Sequence, residues 1–193
     1  MFRVLLTMAA VLLAQHAGAQ VPAGDTARGQ RLFQELQCAY CHGANKTAPS
    51  LMKRDDPAHT PNAMASAMWS HATGMWQAIE KARVQRPQMT PAQAADLFAY
   101  FAGTSRADKA GDPAQGGKVY QAKYCASCHD EPYLGAPDLK AKAGTFSSFS
   151  MVSSLWQHGT GMLSRMVSKN MEWQRLTPEE MSHLIAYLNS KRP

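Results

Sequence analysis

The 193-residue sequence lacks any apolar run long enough to cross a bilayer, since a spanning helix needs about 20 such residues. It also lacks an alternating apolar–polar run long enough to argue a strand, so helix is the only regular element its patterning supports. The net charge is +6, but lysines and arginines are scattered along the chain, and nucleic-acid binding has no support. Aromatics at 8% and charged residues at 18% fit neither a disordered nor a collagen-like chain. Cysteine is the scarcest informative residue. The four cysteines stand as two pairs, Cys38/Cys41 and Cys125/Cys128, and none is left over for a catalytic nucleophile.

What is present begins with a leader. Arg3 supplies a positive start, Val4 to Ala14 an apolar stretch, and Ala17-Gly18-Ala19 a small-x-small cleavage site. Residues 1–19 therefore read as a secretory signal peptide, and the protein is expected in the periplasm.

A histidine follows each cysteine pair: Cys38-Ala39-Tyr40-Cys41-His42 and Cys125-Ala126-Ser127-Cys128-His129. A disulfide framework would explain the cysteines in an exported protein but not the histidines. A zinc site of two cysteine knuckles would hold them roughly 15–20 residues apart, whereas 83 residues separate Cys41 from Cys125. The C-x-x-C-H pattern is the signature of covalent haem attachment. Its two thiols can each add to one vinyl group of a porphyrin, and the adjacent histidine can ligate the iron. Two copies imply two haems c, attached at Cys38, Cys41, Cys125 and Cys128, with His42 and His129 as proximal ligands.

The motifs recur at a shift of 87 positions, and so does the sequence around them. Met64, Ser66, Trp69, His71, Thr73, Gly74 and Met75 meet Met151, Ser153, Trp156, His158, Thr160, Gly161 and Met162. Thr90-Pro91 meets Thr177-Pro178. The chain thus divides into a leader (1–19), a first unit (20–102), a linker rich in polar residues (103–112) and a second unit (113–193). Helices are expected over 26–37, 62–71 and 90–102, and over 113–124, 149–158 and 177–190. Threonine caps and proline fills the first turn of the last helix in each unit. His59 and His183 have no histidine counterpart and are expected to take no ligand role.

The sequence resembles the di-haem cytochromes c made of two tandem class I domains, with an architecture similar to cytochrome c4. The resemblance implies an all-α fold, a few helices around each haem. It implies a crossing of first and last helices through Gly29, Phe33 and Tyr100, and through Gly116, Tyr120 and Tyr187. It also makes Pro49 and Pro137 the residues whose carbonyls orient the proximal histidines. The sixth ligand should occur in both units, which leaves Met64/Met151, Met75/Met162 and His71/His158. Met64 and Met151 fall on expected helices and read as core. The family's distal methionine follows a helix and a glycine, which favours Met75 and Met162, with His71 and His158 as the alternative. The Trp-x-His-x-x-x-Met stretch around these residues departs from the loop expected of cytochrome c4. Trp69 and Trp156 read as core beside the haems.

Six-coordinate irons suit electron transfer between redox protein partners. The expected function is a periplasmic electron carrier, with association with a membrane respiratory complex as one setting. The alternative is an electron-transfer subunit of an oxidoreductase, or a small di-haem enzyme of the thiosulfate-oxidising type.

Overall fold

The computed structural model describes residues 24–44, 46–51, 59–102, 107–131, 135–139, 141 and 146–190. The leader and positions 103–106 of the linker lie outside the described residues. Among the described residues there are nine helices and no strand. None is long and apolar enough to cross a membrane.

The first half contains α1 (Thr26–Glu35), α2 (Cys38–His42), α3 (Pro61–Ser70), α4 (Ala72–Ala82) and α5 (Pro91–Ala102). The second contains α6 (Pro113–Ala122), α7 (Ala126–His129), α8 (Ser148–Ser168) and α9 (Pro178–Ser190). The helix starts are written in the sequence. Asp25 and Asp112 cap α1 and α6 by accepting from the backbone N–H of Arg28 and Ala114. Thr90 with Gln93, and Thr177 with Glu180, form reciprocal boxes at the starts of α5 and α9.

Within each half the first helix crosses the last, α1 on α5 and α6 on α9. The crossings need glycine: a Cβ on Gly29 would overlap the Asp96 carbonyl, and one on Gly116 the His183 carbonyl. Phe33 packs on Tyr100 and Phe101, each with centroids 5.6 Å apart, and Tyr120 on Tyr187 at 5.2 Å. Position 96 and its counterpart 183 do one job with different chemistry. Asp96 Oδ1 accepts from the Asp25 backbone N–H at 2.7 Å, and His183 Nδ1 accepts from that of Asp112 at 2.8 Å.

The middle helices do not stay with their own halves. The last helix that α3 lies against is α9, and the last helix that α8 lies against is α5, while α3 and α8 also meet each other. Buried Asn62 of α3 donates to Ser182 Oγ of α9 at 2.6 Å and accepts from Ser148 Oγ of α8 at 2.5 Å. Phe98 of α5 faces Phe149 of α8 at 5.5 Å. The exchange is reciprocal down to equivalent positions. Ser70 bonds both ways with the backbone of Leu176, and Gln157 Nε2 donates to the carbonyl of Met89. Each pair lies 87 positions from the other, so the two units are interlocked rather than merely joined.

The helix expected over 149–158 runs on to Ser168. Gly159 does not end it. That glycine is buried where α8 crosses α4, and a Cβ there would overlap the Trp76 indole. The first half breaks instead at His71, between α3 and α4. There Trp173 Nε1 donates to the Trp69 carbonyl at 2.8 Å, taking the acceptor that would otherwise serve the next turn.

Candidate functional site

Both cysteine motifs sit on short helices entered through a left-handed turn. The turn residues are Gln37 and Tyr124, each at φ 59 and at equivalent positions. Before attachment, burial pushes the Cys38 and Cys125 thiols up to about 11. Among the described residues no group of three or more histidines, cysteines or carboxylates is arranged to hold a metal ion.

The histidines are anchored identically. His42 Nδ1 lies 3.0 Å from the Pro49 carbonyl, and His129 Nδ1 lies 2.8 Å from that of Pro137. A carbonyl only accepts, so each Nδ1 carries the proton and each Nε2 keeps its lone pair for a metal.

In the second half these groups open onto an apolar cleft. Cys125, Cys128 and His129 lie along it together with Leu139, Leu184 and Leu188. Paired thiols, an imidazole with a free nitrogen and an apolar cleft are the donors and the shape that a covalent haem requires. Met162 lines the cleft as well, and so do Met151, Met166 and Met171. Met166 and Met171 face Ile79 and Val84 in the repeat, so a search for paired ligands passes over them. Both favoured methionines stand on helices, Met75 on α4 and Met162 on α8, rather than in a loop after a helix.

His71 is exposed at the α3–α4 junction. Its imidazole is nevertheless held below the ordinary histidine range, first by partial desolvation and then by the nearby charges of His42 and Arg175. It therefore lies on the side of α3 that faces the first motif. His158 is exposed on α8. His183 serves as the backbone acceptor described above, and His59 keeps a buried Nδ1 without a hydrogen-bond partner.

The second cleft is closed by a residue of the first half. Trp69, on α3, lines it beside Trp173, with ring centroids 5.2 Å apart, and donates from Nε1 to the Gln174 carbonyl at 2.9 Å. Its counterpart Trp156 reaches the other way and donates to Met68 Sδ at 3.0 Å.

Residues 24–101 match the family model described as cytochrome c oxidase, cbb3-type, subunit III, and residues 113–191 match the model described as cytochrome c. No curated protein matches the chain.

Proposed function

Two cytochrome c-type domains in tandem, which imply two covalently bound c-type haems, place this chain in the cytochrome c family, and from that premise we propose that it is an exported di-haem carrier passing electrons between redox proteins. The two domains themselves make it a haem-based electron-transfer protein. The haems supply irons that take up and release single electrons. The chain holds and orients them. Cys38 with Cys41, and Cys125 with Cys128, are the attachment thiols. His42 and His129 are the proximal ligands, fixed in tautomer and plane by Pro49 and Pro137. Met75 and Met162 would supply the remaining ligands, with His71 and His158 as the alternative pair. A thioether and an imidazole together would raise the reduction potential and leave the iron no site for substrate.

The observation that carries this reading is the duplicated thiol pair followed by a histidine whose Nδ1 is tied to a proline carbonyl. Export rests on the leader at 1–19, and a mature N-terminus at Gln20 would bear it out. The likeness of the first domain to an oxidase subunit favours a second reading, an electron-transfer subunit within an oxidoreductase complex. The test is a haem count, a redox titration and carbon monoxide added to the reduced protein. Two haems per chain, two reversible one-electron waves and slow, incomplete binding are expected of a carrier. Rapid binding at either iron would overturn closed coordination and point to catalysis.

A further inference from the structure

The four tryptophans of the chain, two from each half, gather where the halves meet. Trp69 of α3 packs on Trp173 with centroids 5.2 Å apart, and both line the second cleft. Trp76 of α4 packs edge-on against Trp173 at 5.3 Å and meets α8 at Gly159. Trp156 is buried one turn earlier on α8, and its indole Nε1–H donates to Met68 Sδ at 3.0 Å. An indole only donates and a thioether only accepts, so the polarity of this bond is fixed. It joins residues 88 positions apart, from opposite halves.

Both ends of that bond lead to a site. Met68 is covalently next to Trp69, on the wall of the second cleft. Trp156 takes the place of Trp69 in the repeat, and it lies against the first half. Its carbonyl accepts from Gln88 Nε2 at 3.2 Å, and Ser153, one turn before it, donates to the Met89 carbonyl at 2.7 Å. Leu176, the counterpart of Met89, lines the second cleft. The repeat therefore puts Trp156 on the wall of the corresponding site in the first half. A short run of covalent bonds and one hydrogen bond join the two walls. The join is made once, because the counterpart of Met68 is Leu155, which accepts nothing. Trp76 is buried as well, but its Nε1 has no partner among the described residues. It adds aromatic surface without extending the bonded line.

We propose that Trp69, Met68 and Trp156 form the line along which an electron passes between the two halves. The inference rests on the two-haem reading above. Covalent and hydrogen bonds carry electronic coupling further than empty gaps of the same length, because orbitals overlap at each contact. The polarizable thioether sulfur stands at the one step that is not covalent. One electron leaves one site and arrives at the other. No bond forms or breaks, no proton moves, and the three side chains end as they began.

The experiment compares Met68→Leu, Trp156→Phe and Trp76→Phe with the unaltered holoprotein. Leucine is what the repeat itself sets opposite Met68, and a Met-to-Leu exchange conserves core volume. In nitrogen-edited proton NMR of the reduced holoprotein, the Trp156 indole N–H signal is expected to move upfield in Met68→Leu and to exchange faster with solvent. Laser-flash reduction with less than one electron per chain then reads redistribution between the haems as a phase independent of protein concentration. Met68→Leu and Trp156→Phe are expected to slow that phase several-fold while both reduction potentials stay in place. Trp76→Phe is expected to leave it unchanged. An unmoved indole signal in Met68→Leu, an unchanged rate in Met68→Leu and Trp156→Phe, or equal slowing in Trp76→Phe would overturn the assignment. A haem count on each protein separates the two claims, because fewer than two haems per unaltered chain refutes the di-haem reading itself.

Discussion

Trp69 gives the sharpest test of the interlocked halves, because it belongs to the first by sequence and to the second by contact. Trp69→Ala removes the Nε1–H bond to Gln174, at about 1 kcal/mol for a typical net hydrogen bond. It removes the ring contact with Trp173, worth roughly 0.5–1.5 kcal/mol beyond area. It also empties part of the second cleft, and Trp→Ala changes in cores cost about 3–5 kcal/mol in all. Trp69 is only partly buried, so the lower end, about 3 kcal/mol, is expected. For a chain of this size that is a loss of roughly 6–12 °C in melting temperature. The informative assay is hydrogen exchange followed by peptide. Protection should fall in 146–190, a segment more than seventy positions downstream, and the mirror change Trp156→Ala should loosen 88–102. If Trp69→Ala loosened only peptides between 24 and 102, the exchange of helices between halves would be wrong.

Three further outcomes follow from the same contacts. Gly116→Ala drives a Cβ into the His183 carbonyl and must pry α6 from α9; a cost of at least about 1–3 kcal/mol is expected in thermal unfolding. The Arg28 guanidinium bonded to Asp96 holds that carboxyl below the usual range. Its stabilisation is therefore complete above the unfolded value of about 3.9 and is lost as pH falls through the lower folded value. Asp96→Asn should cost about 1–3 kcal/mol at neutral pH and flatten the acid limb of an unfolding-against-pH curve. Met75→Ala combined with Met162→Ala should abolish the methionine-to-iron charge-transfer absorption. An unchanged band would exclude both residues and turn attention to Met166 and Met171, which share the second cleft.

Much of this architecture can be read from the residues because its signals are local. Thr90 and Thr177 cap the helices they were expected to cap, and Asp25 and Asp112 cap the first helix of each half. Helix ends are less legible. Gly159 and Gly161 look like stops, yet α8 passes through both, because the glycine at 159 answers to the Trp76 ring across the crossing. The interlock is not legible at all. A shift of 87 pairs Trp69 with Trp156 whether each tryptophan sits in its own half or the other, and periodicity reveals a buried face without naming what buries it. The thiols, the histidines and their proline carbonyls follow from motif and resemblance. Trp173 lies outside the repeat, facing Arg86, and only the fold brings it to the cleft.

The interlock also sets an order of events during synthesis. Asn62 finds its donor partner Ser182 across 120 positions, and contacts this distant close slowly because the intervening chain must first be gathered in. Until α9 emerges, Asn62 of α3 lacks the acceptor for its amide, and the segment carrying Cys38 and Cys41 is already outside the ribosome. The first thiol pair is therefore presented for attachment before the packing around α3 is complete.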